Sequence, residues 1–185
     1  MSFTVVGLVG SLRKDSFNRK LYNHIVDNAP ADFEITEITG WGDWPILNQD
    51  DLANMPTEIA AAGEQLRDAD AVIIVSPEYN FSVPGGLKNA IDWLSRVPPA
   101  PGPFAGKPVL IAGASGGPVG TARMQYQLRQ ILVFLDAYPV NKPELMLGNA
   151  PQAFDEDGNL TNEVTADLVQ QALVRLAEHG RKLAS

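Results

Sequence analysis

Two hydroxyls and two cations lie close together in Gly10-Ser11-Leu12-Arg13-Lys14-Asp15-Ser16-Phe17-Asn18, between an apolar run and a stretch with Leu21, Tyr22 and Ile25 at helical spacing. This is the pattern of a phosphate cradle. Gly10 permits a sharp turn, Ser11 and Ser16 can donate to phosphate oxygens, Arg13 supplies charge, and the N-terminus of the following helix favours an anion. The plain alternative is that Ser16 only caps the helix and Arg13 is a solvated side chain. The loop lacks G-x-x-x-x-G-K-[ST] and also lacks G-x-G-x-x-G with a distal acid, so neither a Walker-type site nor a dinucleotide fingerprint is present. A single phosphate monoester suits it better.

A second stretch, Pro77-Glu78-Tyr79-Asn80-Phe81-Ser82-Val83-Pro84-Gly85-Gly86, follows the buried-strand run Ala71-Val72-Ile73-Ile74-Val75 and precedes Leu87, Ala90, Ile91 and Leu94 at helical spacing. It is a strand-to-helix loop rich in Pro and Gly, with an aromatic side chain that can line a flat ligand. Ser115-Gly116-Gly117-Pro118-Val119-Gly120 is a third loop of this kind. Its glycines are expected to leave backbone N–H groups uncovered for the carbonyl oxygens of a planar heterocycle; the alternative is an ordinary glycine turn. Glu78 is a candidate proton donor, weighed against a carboxylate that merely bonds backbone. The balance favours the second, and no residue is assigned as a catalytic acid, base or nucleophile. His24 and His179 stand alone, and no metal ligand set is expected.

The elements that would hold these loops alternate along the chain. Strand-like runs at residues 4–9, 33–38, 71–76, 109–114 and 137–140 are each followed by helical periodicity, at 17–28, 57–68, 87–94, 121–136 and 162–183. Five β-α units with right-handed crossovers predict an α/β fold, a doubly wound, flavodoxin-like five-stranded parallel sheet in the order 2-1-3-4-5. In that order the loops after strands 1 and 3 flank one cleft. Pro139 places the last strand at an edge. Three connections, 39–56, 96–108 and 141–160, are long, and the second is stiffened by prolines. Trp93 is expected in the core, with a partner-facing position as the alternative. The helix around Arg123–Leu135 is apolar over nearly its whole circumference in its second half, which one sheet cannot cover; the alternative is one deeply buried helix.

Composition narrows the function classes. With 185 residues the expectation is a single domain, 1–185. Its 14 Lys and Arg against 22 Asp and Glu give a net charge of −8 without a basic run, which argues against nucleic acid and anionic membranes as partners. There is no cysteine, so thiol chemistry and Cys-ligated metals are excluded and redox work would need a borrowed cofactor. Met1 leads directly into a strand-like segment and no apolar run is long enough to span a bilayer, from which a soluble, cytoplasmic chain is expected.

The phosphate-loop segment, the stretch from Pro77 through Trp93 and Ser115-Gly116-Gly117 together resemble the NADPH-dependent FMN reductase family, in its quinone-, chromate- and azo-dye-reducing branch. The resemblance extends through Gly120-Thr121-Ala122-Arg123 and Asn141-Lys142-Pro143-Glu144, to about Gly148. It implies FMN as cofactor and NADPH or NADH as co-substrate, in a ping-pong hydride relay to small oxidants such as quinones. By the same resemblance Ser11, Arg13, Ser16 and Asn18 hold the phosphate and ribityl end. Pro77, Glu78, Tyr79 and Asn80 flank the isoalloxazine ring, Ser115, Gly116 and Gly117 hold its pyrimidine edge, and Phe17 and Ser82 join the cofactor contacts. It further implies a homodimer that can pair into a homotetramer, with Arg123, Tyr126 and Glu144 as polar candidates for contacts between subunits. The competing class is a flavodoxin-like electron carrier, which binds FMN without oxidising NAD(P)H.

Overall fold

The computed structural model describes residues 2–183. Strands β1 (Phe3–Val9), β2 (Phe33–Glu37), β3 (Ala71–Val75), β4 (Pro108–Ala114) and β5 (Tyr138–Pro139) form a parallel sheet in the order β2-β1-β3-β4-β5. This is the expected doubly wound, flavodoxin-like order. The sheet is covered on both faces by α1 (Phe17–Asp27), α2 (Thr57–Asp68), α3 (Gly85–Leu94), α4 (Ala122–Phe134) and α6 (Glu163–Leu183); α5 is the single turn Ala150–Ala153. No helix among the described residues is long and apolar enough to cross a membrane.

Alternation along the strands sorts the core into two layers. Val6, Leu8, Val72, Ile74, Val109 and Ile111 pack under α2, α3 and α4 with Ile59, Leu87, Trp93 and Leu128. Val5, Val9, Ile73, Val75, Leu110 and Ala112 face α1 and α6 with Leu21, Ile25, Leu173 and Leu176. Trp93 is fully buried and its Nε1 donates to Pro45 O at 2.7 Å, so it belongs to the core and anchors the connection after β2. Asn89 holds the same connection twice, donating to Pro45 O and accepting from Leu47 N, each at 2.9 Å.

The far edge differs from the expectation. The described residues contain six strands and six α-helices rather than five of each, because residues 141–160 are not a plain loop. Leu145–Leu147 forms β6, which continues the edge alongside Ala112–Ala114 after β5 has paired with Pro108 and Val109. Three residues are too few to carry a periodicity signal, and the strand is held from outside: buried Gln125 on α4 donates to Leu145 O at 2.8 Å. Pro139 does lie at an edge. Tyr138 N and Val140 N donate to Lys107 O and Val109 O, so the imide nitrogen between them is not asked for a ladder bond. The proline-rich connection is organised by one side chain, since the Arg67 guanidinium donates to the carbonyls of Val97, Pro99 and Pro101 at 3.0–3.1 Å.

Candidate functional site

Three loops meet at the carboxyl ends of adjacent strands. Gly10 N donates to Val75 O at 2.8 Å and Ser76 N to Ala112 O at 3.0 Å, tying the first loop to the third strand and the third strand to the fourth. The first junction requires glycine: a Cβ on Gly10 would lie 2.5 Å from Ser76 Oγ.

Ser16 caps α1 in an extended conformation, its Oγ accepting from Asn18 N at 3.2 Å and Arg19 N at 3.3 Å. The plain reading of Ser16 as an N-cap is therefore correct, but the cap leaves its hydroxyl proton as a donor beside the positive end of an 11-residue helix. Ser11 is half-buried and Arg13 is exposed, with its guanidinium 5.8 Å from the centroid of the Phe17 ring. Asn18 is tied to the end of β4. Its buried amide donates to Ala114 O at 3.0 Å and accepts from Ala114 N at 2.8 Å, continuing the β4 ladder just past the end of β3. One bond at each end of that amide joins α1 to the end of β4, and the second Nδ2 hydrogen takes no part in the joint.

The Tyr79 loop is a tight hairpin. Tyr79 and Ser82 exchange both backbone hydrogen bonds across Asn80 and Phe81, which have φ of 50° and 65°. Two positive φ values make this a I′-type turn; Asn80 suits it, whereas Phe81 is held there against its preference. The surrounding contacts show what holds it. Gln127 on α4 donates to Phe81 O at 2.9 Å and accepts from Ser82 Oγ at 2.6 Å, while the Arg123 guanidinium lies 3.9 Å above the Phe81 ring. Tyr79 and Phe81 thus project into solvent, and Pro77 is buried beneath them. Phe81 carries no motif role in the sequence reading; only the pair of positive φ values marks it.

Glu78 answers the question raised by its position. Its side chain is only 8 % exposed, and Oε2 accepts from Arg123 N at 2.9 Å and Met124 N at 3.1 Å while Oε1 pairs with the Arg123 guanidinium at 3.0 Å. The carboxylate closes the N-terminus of α4, where its charge meets the helix dipole. It is a strut between the Tyr79 loop and that helix. The glycine loop is also more satisfied than expected: Gly117 N donates to Ser115 Oγ at 3.2 Å, and Ser115 itself is fixed by Leu147 O and Ala150 N. Gly116 and Gly117 are exposed on the rim. Among the described residues no three His, Asp or Glu side chains gather as a metal site.

Beside the first half of α4, Glu144 accepts from Lys142 Nζ and Tyr126 Oη, both at 2.9 Å. Lys142 first, then Tyr126, holds its carboxyl below the usual carboxylate range. A depressed carboxylate contributes stability that is present above its unfolded-state value and is lost as pH falls through the folded one. Wild type is therefore expected to lose more stability than Glu144→Gln on acidification below about pH 4.5, read as urea midpoints across pH.

A parallel sheet in this order, with a serine-capped helix opening beside a strapped aromatic turn, defines a flavodoxin-like mononucleotide-binding α/β protein. The chain belongs to the NADPH-dependent FMN reductase family, whose profile matches residues 3–152. It is 48 % identical over 177 residues to a quinone reductase of Escherichia coli, covering 94 % of this chain and 93 % of that one. It is 45 % identical over 182 residues to an NAD(P)H-dependent FMN reductase of Pseudomonas aeruginosa, covering 97 % and 96 %. Among solved structures it resembles FerB, a flavoenzyme NAD(P)H:(acceptor) oxidoreductase of Paracoccus denitrificans, with a TM-score of 0.88 at 34 % identity over 97 % of this chain and 98 % of that one.

Proposed function

We propose that residues 1–185 form one flavin-binding domain of a cytoplasmic NAD(P)H:quinone oxidoreductase. The observation that carries the reading is the donor set at the first loop. Ser16 caps α1 with a hydroxyl proton left to donate and the Arg13 guanidinium lies 5.8 Å from the ring of the adjoining Phe17, a donor set suited to a phosphomonoester dianion, while the turn after the neighbouring strand β3 exposes Tyr79. These residues fit FMN. Ser11, Arg13 and Ser16 would hold its phosphate, with Phe17 behind them. Pro77, Tyr79, Asn80 and Ser82 would border the ring, and Ser115, Gly116 and Gly117 would meet its polar edge. Asn18 and Glu78 would act by fixing those loops. FMN held there would supply the two-electron redox chemistry that links NAD(P)H oxidation to quinone reduction. The protein's part is to bind, orient and keep the exchange face open, and it needs no side-chain acid or base. The names of the quinone reductase relatives support the quinone as acceptor. Apoprotein is expected to gain quinone-dependent NAD(P)H oxidation on addition of FMN but not of riboflavin. Recovery with both flavins alike would remove the phosphate from the account, and recovery with neither would remove the enzyme.

The same reading includes a second copy of the chain, and two dimers pairing as a tetramer. On α4, Phe134 is 86 % exposed and lines a groove of about 760 Å³ with Ser82, Val83, Gln127 and Ile131, while Val133, 68 % exposed, lines a separate pocket with Arg129 and Tyr138. An apolar face of that kind, next to the Tyr79 turn, supports a closed symmetric pair whose neighbour borders the cleft. Phe134→Asp is expected to shift the light-scattering mass toward a single chain; a wild type already of that mass contradicts the dimer.

A further inference from the structure

The phosphate cradle leans on a part of the chain that lies outside the family-matched residues 3–152. Phe154, 8 % exposed, stacks on Phe17 with centroids 6.1 Å apart and planes 14° from parallel. Phe17 is the first residue of α1, next to the Ser16 cap. The Lys20 ammonium lies 5.9 Å from one ring centroid and 6.0 Å from the other, and Arg13 lies 5.8 Å from that of Phe17. Phe154 is itself fixed. It forms an antiparallel bridge with Leu160, and the preceding Ala153 O accepts from Thr161 N at 2.9 Å and Thr161 Oγ1 at 3.2 Å.

We infer that Phe154 is a positioning residue for flavin phosphate, acting through the Phe17 ring on Ser16 and Arg13; the inference rests on the FMN reading above. Helix ends fray, and a stacked aromatic partner restricts the Phe17 ring beside which Arg13 lies. Loss of Phe154 leaves Ser16 and Arg13 in place chemically but no longer held at one separation. The penalty therefore falls on the ligand group they grip, the phosphate, and not on the ring system bound by the other two loops.

The test is titration of FMN and of riboflavin, which lacks the phosphate, into apoprotein, followed by quenching of flavin fluorescence. Phe154→Ala is expected to weaken FMN about fivefold while riboflavin changes less than about twofold, the scale of one aromatic pair. Phe154→Tyr restores the FMN preference. Phe154→Leu keeps the apolar volume without the stack; it follows Phe154→Ala and carries the test if the alanine variant melts below the assay temperature. Equal weakening of both flavins, or of neither, in a wild type that prefers FMN overturns the role of Phe154 alone. A wild type with no preference for FMN over riboflavin overturns the phosphate reading and this inference with it.

Discussion

Asn18→Asp is expected to destabilise the protein more than Asn18→Ala, although it changes a single atom type. The amide spans from α1 to the end of β4, giving a proton to Ala114 O and receiving one from Ala114 N. Alanine leaves that buried carbonyl and N–H without partners, at about 1–2 kcal/mol each, and about 2–4 kcal/mol together is the expected loss. Aspartate keeps the acceptor but turns an anionic oxygen toward a carbonyl oxygen inside a site that is 3 % exposed, and about 3–5 kcal/mol is expected. Urea midpoints for the two variants check the order. An aspartate variant as stable as wild type would show that the amide is not the joint between α1 and the end of β4. Flavin affinity should fall in both, because the loops lose their common reference.

The second large effect concerns Glu78. Removing a carboxylate that closes two helix N–H groups and a guanidinium should cost about 2–3 kcal/mol for Glu78→Ala, and about 1–2 kcal/mol for Glu78→Gln, which retains one acceptor. Thermal melts of the two variants and wild type give that order. The catalytic consequence is different in kind. A strut changes the height of the pH–rate profile and leaves its limbs in place, whereas a proton donor takes one limb with it when replaced. A Glu78→Gln enzyme with intact stability and flavin affinity that loses a limb would return Glu78 to the reacting atoms.

The architecture was legible wherever a local pattern was long enough to repeat. Helix α2 runs Thr57–Asp68 as its periodicity implies, the strand order follows from repeated β-α units, and Pro139 marks an edge. Short pieces with long-range causes were not. Strand β6 has three residues and exists because Ala112–Ala114 and Gln125 offer it partners 20 or more positions away in the chain. The same limit governs the site. Periodicity and loop position locate Ser16, Tyr79 and the glycine loop at one rim, but nothing local reveals that the Asn18 amide reaches Ala114, 96 residues on, or that Glu78 reaches α4 45 residues on. The resemblance set both beside the flavin, while for Glu78 the residue-level balance favoured a carboxylate that bonds backbone. A carboxylate and an amide are equally good at closing backbone, and the neighbour in space decides which task they perform.

That division of labour, with side chains that bind and strap while the flavin exchanges electrons, separates an NAD(P)H-oxidising enzyme from an electron carrier built on the same sheet. The direct measurement is anaerobic stopped-flow absorbance of the FMN-loaded protein. Addition of NADPH or NADH should bleach the visible flavin band, and subsequent addition of a quinone should restore it with one quinone consumed per flavin. A band that stays unbleached by both nicotinamides, yet is reduced by dithionite, would contradict the enzyme and identify a carrier.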